Sequence, residues 1–367
     1  MHIVHVATGF LGGPEVIVRQ LIEMQQAAGH RVTLIYGRMH NGFVAGTGQL
    51  PPGLDMIPWD AGREISLSAD RAALHVLIGH LRALKPDVVH MHNAKAGALG
   101  RVACRWLGIC NIYSPHGPPY LRRDIGKLKR FAYFAMEWAL CLLGDQVVAS
   151  SAGELKAIRF LPGRKHLVYN GVDIAEIQHK ASGEPVKPHG GRLRIVISSR
   201  IWAQKNPEMV ARLAAQSPPE WEWCWIGDGP LRDVLDATGR VDILGWQAPK
   251  DVLATLKTTD IYLQASRWEG MSFSLLEAQA LGKPSVVSNV PGNQDVVQNG
   301  VNGYVCDTEG EYMAALHRLA ADSGLRQKLG EGAAQRTAQV FSLHQAAIEW
   351  SRVYKPLRPQ GFQDFRC

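Results

Sequence analysis

Residues 1–36 read MHIVHVATGFLGGPEVIVRQLIEMQQAAGHRVTLIY. An apolar run, Ile3 to Ala7, meets a turn holding Gly9, Gly12 and Gly13, and a helical pattern follows from Glu15 to Ala28. Gly29 and His30 then precede a second apolar run, Val32 to Tyr36. This is strand, loop, helix, strand, the unit from which parallel sheets are built. Further strand candidates stand at Asp87 to Met91, Asn111 to Ser114, Gln146 to Ser150 and Leu167 to Asn170, with helix-length segments between them. Short buried strands alternating with helices predict a parallel sheet covered on both faces.

Between Ala181 and Arg192 the chain reads ASGEPVKPHGGR, rich in Pro, Gly and polar residues, and is expected to be a linker. The alternation then restarts, with strand candidates at Leu193 to Ser199, Glu222 to Ile226, Val241 to Leu244, Asp260 to Gln264, Ser285 to Ser288 and Tyr304 to Cys306. Two doubly wound α/β domains in tandem are the expectation: residues 1–185, residues 186–350, and a tail over residues 351–367 that packs back on the first domain. A length of 367 residues suits two domains better than one. A hydrophobic content of 46% with 20% charged residues supplies two cores and argues against disorder.

The N-terminus lacks the basic leader and long apolar stretch of a secretory signal, and no uncharged apolar run reaches the roughly 20 residues that cross a bilayer. The six cysteines (Cys104, Cys110, Cys141, Cys224, Cys306, Cys367) form no C-x-x-C pair, so a disulfide framework and a zinc site of that kind are not expected. A reduced cytoplasmic setting follows as the expectation. The net charge of +7 points to anionic partners such as nucleotides, phospholipid surfaces or nucleic acid, without choosing among them.

In doubly wound domains, ligands bind beyond the carboxyl ends of the strands. After Gln264 comes SRWEGMSFSLLEA, residues 266–278, with Glu269 in the loop and a helix expected to start near Ser272. Free amides of Met271, Ser272 and Phe273 at a helix N-terminus suit a phosphate. Glu269 outside that terminus and Glu277 further in can accept hydrogen bonds from hydroxyls at either end of a diphosphate, the layout of a sugar nucleotide. The alternative is that Ser274-x-x-Glu277 is a capping box and Glu277 only stabilises the helix. Arg200 and Lys205, after the strand ending at Ser199, can neutralise a diphosphate, or can be ordinary solvated charges.

Arg200 and Lys205 (R-x4-K), Gly227 to Pro230 (GDGP), Leu244 to Trp246 (LGW), the E-x7-E of Glu269 and Glu277, and Gly282 to Val287 (GKPSVV) together resemble the retaining glycosyltransferases of family four, which have the GT-B fold. Gly12-Gly13, Gly29 to Val32, Ser114 to Gly117 (SPHG) and Asn170 to Asp173 (NGVD) extend the resemblance over nearly the whole chain. It implies two Rossmann-like domains facing across a cleft, an acceptor-binding domain first and a nucleotide-sugar domain second. It implies that Glu269 and Gly270 hold the donor sugar, that Glu277 holds the ribose, and that Arg200, Lys205 and the amides from Met271 to Phe273 stabilise the diphosphate leaving group. Gly13 would let its loop approach the diphosphate, His116 would lie near the donor sugar, and Trp246 and Gln247 would contact the base. No metal cofactor is implied, and no D-x-D motif stands near the donor loop.

His90 and His92 in VVHMHNAKAG share a strand face and, with no third ligand nearby in sequence, are expected to line the acceptor side with Lys95 rather than hold a metal. Arg122, Arg123, Lys127, Lys129 and Arg130 precede an apolar, aromatic-rich segment, a composition that suits an anionic membrane surface. The alternative is a core helix behind a solvated basic loop, and both hold if the apolar part is core and the basic part faces lipid. HMHNAKAG and SPHG look like elements of transferases that build bacterial surface polysaccharides on polyprenyl diphosphate carriers. The resemblance thus implies a lipid-linked saccharide acceptor at the inner face of the cytoplasmic membrane, with a UDP-sugar favoured as donor over GDP-mannose. A sugar-nucleotide epimerase of related fold and a nucleic-acid-binding protein are the competing readings. Nothing resembles a base-stacking platform or recognition helix, which disfavours the second.

Overall fold

The computed structural model describes residues 1–8, 13–37, 50–51, 53–62, 65–121, 125–184, 191–357 and 364–365. The chain forms two compact units, one of Met1–Tyr169 with Ala346–Cys367 and the other of Asn170–Gln345.

In the first unit, β1 (His2–Ala7), β2 (Arg31–Gly37), β3 (Asp55–Trp59), β4 (Val88–His92), β5 (Cys110–Ser114), β6 (Gln146–Ala149) and β7 (Arg164–Leu167) form a seven-stranded sheet of order β3-β2-β1-β4-β5-β6-β7. Every pairing in it is parallel. The central strands are buried on both faces, as their largely apolar sequences require, although β1 and β4 also bury His5, His90 and His92. Two edge strands depart from the sequence expectation. β3, DMIPW, is half exposed and carries Pro58, which only an edge tolerates, so it has no apolar run to announce it. β7 uses Arg164–Leu167, whose first three residues are basic, instead of the apolar run that starts at Leu167, because its outer side faces no further strand.

In the second unit, β8 (Arg194–Ser198), β9 (Glu222–Ile226), β10 (Val241–Gly245), β11 (Ile261–Gln264), β12 (Ser285–Ser288) and β13 (Gly303–Cys306) form a six-stranded parallel sheet of order β10-β9-β8-β11-β12-β13. Ile195, Ile197, Trp223, Trp225, Leu213 and Leu263 pack its core. In both sheets the strand order reverses beside the first strand, at β1/β4 and at β8/β11. Loops leaving such a reversal part to opposite faces and open a binding crevice within the unit.

The unit boundary falls earlier than composition suggests. Residues 170–184 already belong to the second unit. The Val172 amide donates to Phe341 O, Leu343 N donates to Val172 O, and the helix Ile174–Lys180 packs on the helices Pro249–Lys257 and Phe273–Ala280. The Pro/Gly-rich stretch is therefore flanked on both sides by residues of that unit, and residues 185–190 of it lie outside the described residues. At the other end the return to the first unit begins at Ala346. Trp350 and Tyr354 of the helix Leu343–Tyr354 pack against the ring of His90, and Ser351 Oγ accepts from the Phe365 amide.

Candidate active site

β8 and β11 are neighbours, so the loops that follow them are brought together. The Arg267 amide donates to Gln204 O (2.8 Å) and Gln204 Nε2 donates to Trp268 O (2.9 Å), which stitches the turn Ala203–Lys205 to the loop after β11. That stitching sets Lys205 Nζ 2.5 Å from Glu269 Oε1, with the two side chains 17% and 8% exposed. Lys205 and Glu269 thus form a pair withdrawn from solvent, 64 residues apart in sequence. Arg200, from the same loop as Lys205, stays exposed, with its guanidinium 5.5 Å from the centre of the Trp202 ring. The Gly227 backbone packs on this loop: at φ +131° a Cβ there would lie 2.1 Å from Ser199 O.

The helix Phe273–Ala280 starts where the sequence places it, with Ser272 as its N-cap accepting from the Leu275 amide. The amides of Phe273 and Ser274 precede the first helical hydrogen bond and have no partner among the described residues. Two contacts hold this terminus. Asn170 Nδ2 donates to Met271 O (3.2 Å), and Gly292, at φ +81°, presses so close that a Cβ would sit 1.8 Å from Gly270 O. Because Ser272 is the cap, Glu277 is too far along the helix for the Ser274-x-x-Glu277 box, and that alternative falls. Burial pushes the Glu277 carboxyl up to about 7, with Lys180 opposing, and the Tyr262 phenol is raised by burial first and by the nearby Glu277 carboxylate second. Trp246 is exposed, and Gln247 Nε2 donates to Leu244 O at the end of β10.

In the first unit, Gly13 opens the helix Gly13–Ala27 and is exposed; the loop residues before it lie outside the described residues. His116 follows β5 in the left-handed region, at φ +50°, a conformation uncommon for a non-glycine residue. Its loop is held by Glu154, whose Oε1 accepts from the Gly117 amide (2.9 Å) while Oε2 accepts from Ser150. His92 Nδ1 and His116 Nε2 are 3.1 Å apart, and His92 Nε2 lies 2.9 Å from His5 Nδ1. His5 Nε2 in turn lies 2.8 Å from Gln25 Oε1. Burial lowers the pKa of His5 and of His116 to about 4, and it drives His90 and His92 well below the ordinary value.

These contacts correct the expectation for His90 and His92. Both are fully buried in β4 and line no surface; His90 is held by Tyr354 OH (2.7 Å) and Ser114 Oγ (2.8 Å). No third ligand is near in sequence, but the β1/β4 register brings in a distant one: His5 lies beside His90, and the nitrogens of His5, His90 and His92 lie within 4.8 Å. His5 and Gln25 were missed; a lone histidine inside the apolar run IVHVA was the available signal for the first. Lys95 pairs with Asp70 at 2.6 Å, and Arg122 and Arg123 lie outside the described residues.

The helix Lys127–Cys141 does not put its apolar stripe in the core, as the alternative reading would have it. Its inner face carries Glu137, which meets the fully buried Arg101 at 2.8 Å, while Leu128, Phe131, Trp138 and Leu142 are exposed. Those positions fall on one stripe at the spacing of a helix face. The apolar side thus points to solvent beside Lys127 and Arg130, and an open recess is lined by Tyr120, Lys127, Arg130, Phe131 and Phe134. No helix among the described residues is long and apolar enough to cross a membrane.

With this geometry in place, comparison with known proteins is informative. Residues 11–176 match the family model described as Glycosyltransferase Family 4, and residues 181–336 match Glycosyl transferases group 1. The UDP-Gal:alpha-D-GlcNAc-diphosphoundecaprenol alpha-1,3-galactosyltransferase of Escherichia coli is 30% identical over 291 residues, 72% of this chain and 74% of that protein. The D-inositol 3-phosphate glycosyltransferase of Streptomyces bingchenggensis is 25% identical, covering 95% of this chain and 85% of the relative. Among solved structures, sucrose-phosphate synthase from Thermosynechococcus elongatus superposes with a TM-score of 0.83 at 17% identity, over 97% of this chain and 99% of that one. The last likeness establishes the fold.

Proposed function

Because this chain belongs to glycosyltransferase family four and has the GT-B fold, we propose that it moves a hexosyl or N-acetylhexosaminyl group from a UDP-sugar, with retention of configuration, to a saccharide carried on a polyprenyl diphosphate. The observation that carries this reading is the Lys205–Glu269 pair beside the unpaired Phe273 and Ser274 amides, at the strand-order reversal of the second unit. Breaking the anomeric C–O bond builds negative charge on the departing diphosphate. Fixed positive groups stabilise that charge where it develops, and they do so most when they need not reorganise. Lys205 is already held by Glu269, and the helix terminus directs two free N–H groups and its dipole at the same end. Arg200 adds a planar donor set suited to phosphate oxygens.

Glu269 and Gly270 then take hydroxyls of the donor sugar, Glu277 takes the ribose, and Trp246 offers an open ring for the base. His116 is the group of the first unit assigned to substrate, with Gly13 at the diphosphate. The lipid carrier in the name of the Escherichia coli relative supports the acceptor class. The exposed stripe of Leu128, Phe131, Trp138 and Leu142 beside basic residues supports contact with an anionic bilayer at the inner face of the cytoplasmic membrane.

Calorimetric titration of UDP and GDP in the presence of EDTA tests the donor site. UDP is expected to bind, and Glu277→Ala to weaken it; binding of GDP alone would move the donor to GDP-mannose, and binding of neither would remove the reading. Sedimentation with vesicles of anionic and of neutral lipid tests the surface. Phe131→Asp with Trp138→Asp should abolish binding to anionic vesicles, and unchanged binding would refute the membrane contact.

A further inference from the structure

Three histidines of the first unit form a continuous line of contacts with Gln25, of which the transfer mechanism uses only the last member, His116: Gln25 Oε1, His5, His92, His116. The His92 and His116 ring planes are within 6° of parallel at a centroid separation of 5.4 Å, so with nitrogens 3.1 Å apart the rings meet edge to edge rather than face to face. The His5 and His92 rings meet in the same way, at 22° and 5.2 Å. We infer that this line is a hydrogen-bond relay that fixes the tautomer of His116, which makes Gln25, His5 and His92 positioning residues for that imidazole.

The direction follows from its buried end. Gln25 Oε1 can only accept, so His5 Nε2–H donates to it. A neutral His5 then has a bare Nδ1, which accepts from His92 Nε2–H; the bare His92 Nδ1 accepts from His116 Nε2–H. His116 is left with a bare Nδ1 that has no partner among the described residues. It can accept a hydrogen bond from a hydroxyl and cannot donate one. Burial keeps His5, His92 and His116 neutral at pH 7, the state in which such a line has a single direction.

The same cluster contains the trio His5, His90 and His92, whose nitrogens lie close enough together for a metal ion. All six ring nitrogens of that trio already have a polar partner, from Gln25, Tyr354, Ser114, His116 or one another. Metal binding would have to break the line, so the two readings exclude each other.

The role of His116 toward substrate rests on the function proposed above, but its tautomer does not, so the test has two arms. In the first, the protein labelled with 15N-histidine is observed by long-range 15N–1H correlation, with His116 assigned from His116→Ala. His116 protonated at Nε2 is expected; protonation at Nδ1, a tautomer mixture, or ring nitrogens shifted by a stoichiometric bound metal would overturn the relay. The second arm uses Gln25→Met, which keeps the volume and removes the acceptor. His116 is expected to become a tautomer mixture, and kcat to fall about 10- to 100-fold, the range for losing a group that orients a functional imidazole, with KM for the nucleotide sugar unchanged. An unaltered His116 spectrum in a folded variant would refute the relay. If Gln25→Met does not fold, the wild-type spectrum decides. Absence of UDP-sugar turnover in wild type would count against the proposed function and leave the tautomer result standing.

Discussion

The two sheets reverse their strand order in the same way, β3-β2-β1-β4 and β10-β9-β8-β11, yet carry opposite chemistry at the reversal. Beside β8 and β11 stand Arg200, Lys205, Glu269 and Glu277, with two unpaired helix amides. Beside β1 and β4 stand His5, His90 and His92, joined to His116 and held neutral by burial. One topology thus supports a charged site and an uncharged one. The difference lies in how far each group is withdrawn from water. Lys205 and Glu269 meet in a salt bridge, whereas burial penalises the charged form of the imidazoles and keeps them neutral.

The largest effect expected from breaking this contrast is on the charged side. Lys205→Ala should lower turnover of the nucleotide sugar by roughly 10²- to 10³-fold, as for other losses of a fixed group that stabilises a developing anion. Steady-state kinetics will read it, and a change confined to KM would remove Lys205 from leaving-group stabilisation. Next comes Gly292→Ala, whose Cβ would fall 1.8 Å from Gly270 O. It should cost about 1–3 kcal/mol by overpacking and positive φ, and weaken nucleotide binding as the helix terminus shifts. Denaturant unfolding with calorimetry checks both, and wild-type values in both would show that the Gly270–Gly292 contact does not hold the site.

Smaller, and opposite in sign between the units, is the response to pH. His5 and His116 have pKa values lowered to about 4 from 6.5, so their contribution to stability is fully present above pH 6.5 and is lost as pH falls through that window. Glu277 is raised to about 7 from 4.5, so its ionisation opposes folding, and the second unit loses stability as pH rises from 4.5 to 7. Amide exchange measured strand by strand at pH 5 and pH 7 should show the first sheet better protected at pH 7. Glu277→Gln should remove this group's opposite slope from the second sheet, and parallel slopes in wild type would refute the assignment. Ribose hydroxyls favour the carboxylate, so UDP affinity should gain more on rising through pH 7 in wild type than in Glu277→Gln. The phosphate titrates equally in both proteins, so the difference isolates Glu277.

Much of the second unit was legible because its motif is local. Glu222 to Ile226 and Ser285 to Ser288 are strands with the bounds their apolar runs suggest, and Ser272 begins the helix that the loop after β11 leads into. The first unit was less legible where its features are long-range or at an edge. β3 and β7 lack apolar runs because each has an unpaired side, and the partners of His92 lie 24 and 87 residues away. For the helix Lys127–Cys141 two orientations stayed open because amphipathicity gives a stripe but not its direction: the buried Arg101–Glu137 pair turns the apolar side outward.

By itself the sequence determined the α/β alternation, the tandem arrangement of two parallel sheets, and which loop carries Glu269, since each follows from periodicity and turn residues within a few positions of one another. Only the tertiary structure decided that Lys205 meets Glu269, that Ser272 rather than Ser274 caps the helix, and that four histidines from two strands and a loop share one hydrogen-bonded cluster with Gln25, Tyr354 and Ser114. The physical reason is that periodicity fixes which face of a strand is buried, whereas strand order and register fix what that face meets.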